Sequence, residues 1–525
     1  MMKLSSSQLI CAAALAALAS GVQAGDAEFK ADVNAAIDAG LAYSRANNHF
    51  TVYTEANGLS LLTLLEKESI PAGYAGLDAA DKLLAENAAC ILIDSGSFGD
   101  RGGFYSYYDG QVLMGLSVYL ATGGPDVPAA PPGYSCTGRS ARQTIDKVVD
   151  RAVAAQSSGA PSSGGSGGYW GYSGAGYDSS TTQFTVAGLA AAKGFYSSQG
   201  ESLDKARAPL ITAALDKTSL AYSLNGKANA GAQFDSCGAG GCYGHGYQSY
   251  YGAGNNSSQQ TASGAWNQLA GTGKTVNDTS IQGYLRWLQN AYSYTTNIRP
   301  DSWTPAYFYY LWSSSKAYNI IQGSGVPLAA GNIGPDSMGT LPAVSGREVN
   351  RNPAVDTRPP ARGAGAAGYY AGTTKGWYYD YAYRLMSLQN AAGQFPNPNG
   401  SWDGEVDHAY AILVLQRSVG GACTDSDLDG VCDLDDNCPN VPNPGQENTY
   451  GDARGDACEA PPVAKCDIDM DGDIDRIDIG RITALRGQSS PPADPKADAD
   501  GNGLINVNDA RACALKCTRA SCATQ

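Results

Sequence analysis

GYWGYSGAGYDSSTTQFTVAGL, residues 168–189, decides the reading of the large part of the chain. It runs from a Gly/aromatic turn, Gly168-Tyr169-Trp170-Gly171-Tyr172, through Asp178 to Thr182-Gln183-Phe184 and Gly188-Leu189. Glycine lets two backbones approach closely, an aromatic ring plugs the turn against its neighbour, and an aspartate caps the helix that follows. The same order returns in Gly393-Gln394-Phe395, Gly400-Ser401-Trp402 and Asp407-His408-Ala409-Tyr410-Ala411. A weaker copy is Phe104-Tyr105-Ser106-Tyr107, Asp109 and Leu113 to Leu116. Repeated helix pairs stack side by side and bury a shared core.

Working outward, apolar residues recur at helical spacing over 32–46, 81–93, 111–121, 141–155, 181–196 and 203–220. They do so again over 279–292, 305–321, 375–390 and 406–416. Strand patterns are scarce, so the expected class is mainly α. Residues 323–368, rich in Gly, Pro and Ala, are expected to form a flexible surface excursion.

The repeat resembles that of squalene cyclases and protein prenyltransferases, through residues 168–184 and 394–402. The resemblance implies an α/α toroid of inner and outer helices over residues 25–420. Other α/α barrels, such as those of polysaccharide-degrading enzymes, share the pattern.

The ends of the chain read differently. Lys3, the apolar run from Leu9 to Val22 and the site Val22-Gln23-Ala24 read as a signal peptide over residues 1–24, so the chain is expected to be secreted. That run is too short to span a bilayer, and no later segment is apolar enough. Twelve of the 13 cysteines lie beyond it, an even number that favours disulfides in an oxidising compartment. Cys237 and Cys242 flank a Gly-rich turn and are expected to pair. From Cys423 onward, 20 acidic residues face 9 basic ones, so most of the net charge of −15 is local. No basic patch appears, which excludes nucleic acid as a partner class.

That acidity has a pattern. Calcium takes six to eight oxygen ligands, and a loop supplies them when acidic or amide side chains alternate around a glycine turn. Asp467, Asp469, Asp471, Gly472, Asp473, Asp475 and Asp478 have this spacing. So do Asp498, Asp500, Asn502, Gly503, Leu504, Asn506 and Asp509, where Leu504 offers its carbonyl. Ile474 and Ile505 are placed to pack the two loops together, and helices are expected to begin at Ile479 and Ala510. The paired layout over 464–525 resembles a dockerin, which implies two calcium ions and a cohesin-like or cell-surface partner. Between linkers, residues 423–460 carry Asp425, Asp427, Asp429, Asp433, Asp435, Asp436, Asp452 and Asp456 among Cys432, Cys438 and Cys458. This segment resembles a thrombospondin type 3 repeat, which implies a chain wrapped around calcium and cystine in place of an apolar core. Asp433-Leu434-Asp435-Asp436 also matches the D-x-D-D proton donor of cyclases, but it lies in the calcium segment and is read as coincidence.

No catalytic constellation stands out. Asp235-Ser236-Cys237 and Asp407-His408 resemble prenyltransferase zinc ligands, yet prenyl diphosphates are intracellular, and His408 is expected to be a hydrogen-bonded inner-helix residue. Acids beside aromatics, Asp178, Asp380 and Asp407, are the candidates for paired-carboxylate chemistry. The 32 tyrosines serve as turn plugs or line a sugar-binding cleft. Three functions follow: a calcium-anchored binding or structural protein, a tethered polysaccharide hydrolase or lyase, and, ranked last, a cyclase-type enzyme. A cavity with convergent carboxylates would favour an enzyme, and acids spent on caps would favour binding.

Overall fold

A helix with water on one side shows its buried face as a stripe in the sequence. Ala141–Ala155 does so, burying Ala141, Thr144, Ile145, Val148, Val149 and Ala152. A helix enclosed on every side shows no stripe. Asn57–Leu65 buries all of its residues, and Ser258–Leu269 buries everything from Ser258 to Gln268. These are the two helices that periodicity does not find.

The computed structural model describes residues 29–419, except 68–71, 95–102, 199–206, 229–240, 248–255, 299–303, 342–375 and 402. Beyond 419 it describes 438, 441, 455, 457–458, 465–469, 473–490, 493–518 and 522–524. The chain divides into two compact units, Met1–Thr424 and Asp425–Gln525. The described residues are mainly helical, and their only extended pairings are the isolated bridges Trp170–Ala175 and Ser489–Leu504.

In the first unit the helices are α1 (29–46), α2 (Asn57–Leu65), α3 (Ala79–Ile93), α4 (Ser106–Ala121), α5 (Ala141–Ala155) and α6 (Ser179–Ser198). They continue as α7 (Arg207–Ala228), α8 (Ser258–Leu269), α9 (Thr279–Asn290), α10 (Tyr307–Gly323), α11 (Trp377–Leu388) and α12 (Gly404–Leu415). The even-numbered helices pack in order, α2 on α4, α4 on α6, α6 on α8, α8 on α10, α10 on α12, and α12 back on α2. The odd-numbered helices cover this circuit, for example α3 on α2 and α4, α5 on α4, α7 on α6 and α8, α9 on α8, and α11 on α12. Five tryptophans, Trp170, Trp266, Trp287, Trp312 and Trp377, are fully buried.

The repeat motif works largely as its residues suggest. Trp170 is buried, and its ring Nε1 donates to the Ala152 carbonyl at 2.7 Å. Asp178 caps α6, accepting from the backbone N–H of Ser180 at 2.9 Å and of Thr181 at 3.1 Å. The aspartates of the other two copies do not cap. Asp109 lies inside the first turn of α4 and pairs with Arg151, while α12 is capped by Asp403 rather than Asp407. Cys90 and Cys136 form a disulfide closing a 46-residue loop, worth about 3–4 kcal/mol by chain entropy.

The expected excursion at 323–368 is held down over its first part. Gln282 on α9 donates from Nε2 to the Ile333 carbonyl at 2.8 Å, Gln289 to that of Ser337 at 3.0 Å, and Met338 is buried. Residues 342–368 lie outside the described residues.

In the second unit, α13 (Arg476–Ala484) packs on α14 (Val507–Ala514). Cys466, Ile482, Ile505 and Cys513 are buried in a small core, with Ile474 packed against it and a Cys466–Cys513 disulfide through it. Cys438–Cys458 and Cys517–Cys522 are also bonded.

Gly168 and Gly393 show why the repeat needs glycine. Both have positive φ, +90° and +91°, and a Cβ would come within 2.7 Å of the Lys217 carbonyl oxygen and 2.2 Å of that of Ala39. Gly168→Ala is expected to cost on the order of 1–3 kcal/mol, read as a lowered midpoint of thermal unfolding. Gly133→Ala, at φ +89° in open space, is the control and should cost less.

Candidate functional site

The N-terminal ends of the even-numbered helices face one another and leave a cavity of about 520 Å³. Tyr107 and Tyr108 from α4, Ser180 and Phe184 from α6, Gln259 and Gln260 from α8, Tyr309 from α10, and Val406 and Tyr410 from α12 line it. Glu55, just before α2, and Asp403, the N-cap of α12, are the carboxylates in the lining. Tyr105, Tyr172 and Tyr247 bring the tyrosines to seven.

These rings are held in place. The Tyr309 hydroxyl donates to the Ser180 carbonyl at 2.8 Å, and its ring stacks on Tyr410 at 5.2 Å with 5° between the planes. Tyr107 shares a 2.8 Å hydrogen bond with Ser180 Oγ and meets Phe184 edge-on at 4.9 Å. Tyr108 donates to Glu55 Oε1 at 2.6 Å. Burial, with the charge of nearby acids, pushes the phenols of Tyr107, Tyr309 and Tyr410 well above the ordinary range. They stay protonated and keep their hydrogen-bond donors. Gln259 is buried, and its Nε2 has no hydrogen-bond partner among the described residues.

The three acids singled out in the sequence are all buried, and none is in the lining. Asp178 is engaged in its cap. Asp380 accepts the Tyr292 hydroxyl. Asp407 accepts from Asn397 Nδ2 at 3.1 Å, and burial raises its carboxyl to about 6. It lies on the face of α12 that carries Asp403, Val406 and Tyr410 into the cavity, at spacings of one helical turn. The sequence reading missed Glu55 and Asp403. An N-cap position was the one signal that marked Asp403, and a cap has a sufficient structural reason of its own.

Behind the cavity floor lies a further surprise. Trp312 packs against Phe184 at 5.3 Å and Tyr410 at 5.0 Å, and on α10 one turn away Lys316 is fully buried. Its Nζ lies 3.6 Å from the Trp312 ring centre and 4.2 Å from that of Trp266, with no hydrogen-bond partner among the described residues. Desolvation pushes this amine well below its ordinary value.

The rings of His408 and His245 carry structural hydrogen bonds. His408 accepts at Nδ1 from the Phe395 N–H at 3.2 Å, and its Nε2 sits 3.1 Å from both the Gly40 carbonyl and Ser44 Oγ. His245 Nε2 meets the hydroxyls of Tyr169 and Tyr177 at 3.0 Å, and burial lowers its ring to about 4. Buried His49 lies 3.6 Å from Glu405. Asp235 and Cys237 lie outside the described residues, and Cys242 is disulfide-bonded.

In the second unit the acidic loops gather their carboxylates. Oxygens of Asp498, Asp500 and Asp509 lie within 4.8 Å of one another, as do those of Asp467, Asp469 and Asp478, and of Asp473, Asp475 and Asp478. Backbone N–H groups hold the first loop member inward: Asn502 donates to Asp498 Oδ1 at 3.1 Å and Gly503 to Oδ2 at 2.9 Å. The final carboxylates close capping boxes, Asp478 with Asp475 on α13 and Asp509 with Asn506 on α14. The helices begin at Arg476 and Val507, three residues before the expected starts, because of these boxes. Such clusters are able to bind a metal ion. Asn502 and the Leu504 carbonyl belong to the same loop. Asp471 and the segment residues Asp425, Asp427, Asp429, Asp433, Asp435, Asp436, Asp452 and Asp456 lie outside the described residues.

Comparison with models of protein families, with curated proteins and with solved structures found no match to this chain. Among the described residues no helix is long and apolar enough to cross a membrane.

Lys316 gives a test with a definite sign. Unfolded, the amine is protonated below about 10.5, while the folded amine is pushed well under that. Between the two values the unfolded chain holds the extra proton, so stability rises with pH across that window. Lys316→Met is expected to raise stability at neutral pH by on the order of 1–3 kcal/mol, read as a raised unfolding midpoint, and to flatten that rise. A lowered midpoint with an unchanged pH profile would show a partnered cation instead.

Proposed function

We propose that this is a secreted glycan-binding protein, an α/α toroid whose cavity takes sugar rings and whose C-terminal unit is ordered by calcium. The closed circuit of even-numbered helices, covered by odd-numbered ones, supports the toroid. The observation that carries the binding reading is the cavity wall of seven tyrosines with amide and carboxylate groups between them. Sugar rings present apolar C–H faces and hydroxyl edges, and a ring with a polar tip answers both. Rigid, mutually bonded tyrosines lose little freedom when a ligand arrives. Acids spent on caps and tyrosine hydroxyls, as Asp178 and Asp380 are, fit binding better than turnover.

Calcium in the tail is supported by its donor set. Several carboxylates within 4.8 Å repel one another unless a cation lies among them, and every donor is oxygen, which suits a hard ion. Asp498, Asp500, Asn502, the Leu504 carbonyl and Asp509 would hold one ion, and Asp467, Asp469, Asp471, Asp473 and Asp478 another. The proposed role of the unit is to anchor the chain to a cohesin-like or cell-surface protein. Ile477, Val507 and Leu515 are exposed apolar side chains available to a partner.

A hydrolase is the second reading, favoured by Asp407. A carboxyl raised to about 6 on the cavity face of α12 has the character of a general acid. If bonds are cleaved, Asp407→Asn should abolish turnover and remove a pH limb near that value.

Titration calorimetry of the full chain with calcium present, over a panel of oligosaccharides, tests the binding reading. Tyr309→Ala and Tyr410→Ala should each weaken binding at least tenfold. Release of reducing or unsaturated ends would move the reading to the enzyme, and no heat with any sugar would sink it. For the tail, Asp467→Ala combined with Asp498→Ala should remove two bound ions and chelator should lower thermal stability. The absence of calcium uptake by the parent chain would refute the calcium assignment.

A further inference from the structure

The charge around the cavity is one-sided. Glu55 and Asp403 lie in its wall, and the described lining residues include no Lys, Arg or His. One more carboxylate stands directly behind. Asp178 sits one residue from the α6 end, and, after burial itself, its charge helps raise the phenols of Tyr107, Tyr247 and Tyr309. Asp407, behind Tyr410, is raised to about 6 by burial and adds little charge at mildly acidic pH.

Nearby bases do not offset these acids. Arg151 is committed to Asp109, and His49 stands against Glu405. Lys316, behind Trp312, is a buried amine that desolvation pushes toward its neutral form. Helix ends are the opposing effect, since α4, α6, α8, α10 and α12 all direct positive ends here. Each is worth about half a unit charge and acts within a single turn. Two of them, on α6 and α12, are already met by Asp178 and Asp403 as caps. Full carboxylate charges therefore outweigh what remains.

Seven tyrosine rings add to the same preference, because the face of an aromatic ring attracts a cation. The buried Gln259 amide, with no partner for its Nε2 among the described residues, leaves a donor for a hydroxyl of the same ligand.

We propose that the cavity takes a ligand bearing a protonated amine, an amino sugar of the glucosamine type, seated between tyrosine faces with its ammonium toward Glu55 and Asp403. This rests on the glycan reading and sharpens it: a polyuronate, equally a glycan, is excluded by the same field.

The test uses the full chain at mildly acidic pH and compares four probes by calorimetry: a glucosamine oligomer, its N-acetylated counterpart of equal length, an oligogalacturonate and tetramethylammonium. The free-amine oligomer should bind at least tenfold more tightly than the acetylated one, and the uronate should not bind. Asp403→Asn keeps a capping side chain and, with Glu55→Gln, should cut that preference below threefold. Equal or tighter binding of the acetylated oligomer, or any binding of the uronate, overturns the proposal while leaving the glycan reading intact. Binding of tetramethylammonium with no sugar bound keeps the cation preference and ends the glycan reading. No binding by any probe ends both.

Discussion

The first unit depends on enclosing the even-numbered helices, most of whose described residues are buried. Every residue of α2 is buried, as are those of α12 from Val406 to Leu415. A full leucine side chain removed from water contributes about 1.5–3 kcal/mol, and α2 alone contains five buried leucines, Leu59, Leu61, Leu62, Leu64 and Leu65. Enclosure also forbids bulk along the seams. A Cβ on Gly110 of α4 would fall 2.3 Å from the Phe184 carbonyl oxygen of α6. The aromatic residues that line the cavity come chiefly from the N-terminal turns of these same helices.

Enclosure explains what was legible. α5 meets water and core on opposite sides, and its expected bounds, 141–155, are the observed ones, whereas α7, expected over 203–220, runs Arg207–Ala228. α8 reads as SQQTASGAWNQL, polar nearly throughout, yet it is buried, and neighbouring helices meet part of its polarity: Ser179 Oγ of α6 donates to Gln260 Oε1, and Ser280 Oγ of α9 to Gln268 Oε1. Nothing local distinguishes such a helix from a loop. The cavity was hidden for the same reason. It is formed by residues from six places in the chain, and proximity of an acid to an aromatic in sequence, which pointed to Asp178 and Asp380, does not say which way either faces.

The second unit is the opposite case. Its acidic clusters are written within twelve-residue stretches, because each loop gathers carboxylates from near neighbours in sequence. The carboxylates that spacing grouped are the ones that lie together, and Ile474 and Ile505 meet in one core with Cys466 and Cys513. Glycine at position 6 matters here for conformation alone, Gly503 having φ +80°.

The two units also differ in how they meet the cost of a buried charge. In the second unit, oxygens of Asp467, Asp469 and Asp478, and of Asp498, Asp500 and Asp509, stay crowded within 4.8 Å of one another. In the first unit, the buried Asp178, Asp407 and Lys316 are tied down or shifted toward their neutral forms. Asp178 is bound by backbone N–H groups, Asp407 is shifted toward its protonated form, and Lys316 toward its neutral one. Lys316 and Asp407 shift in opposite directions because burial disfavours whichever form is charged. The consequence for the cavity is asymmetric. Burial pushes the lysine behind the floor toward its neutral form, whereas backbone N–H groups satisfy the capping oxygens of Asp178 and Asp403. A negative, aromatic interior therefore follows from how the ring folds, before any ligand is considered.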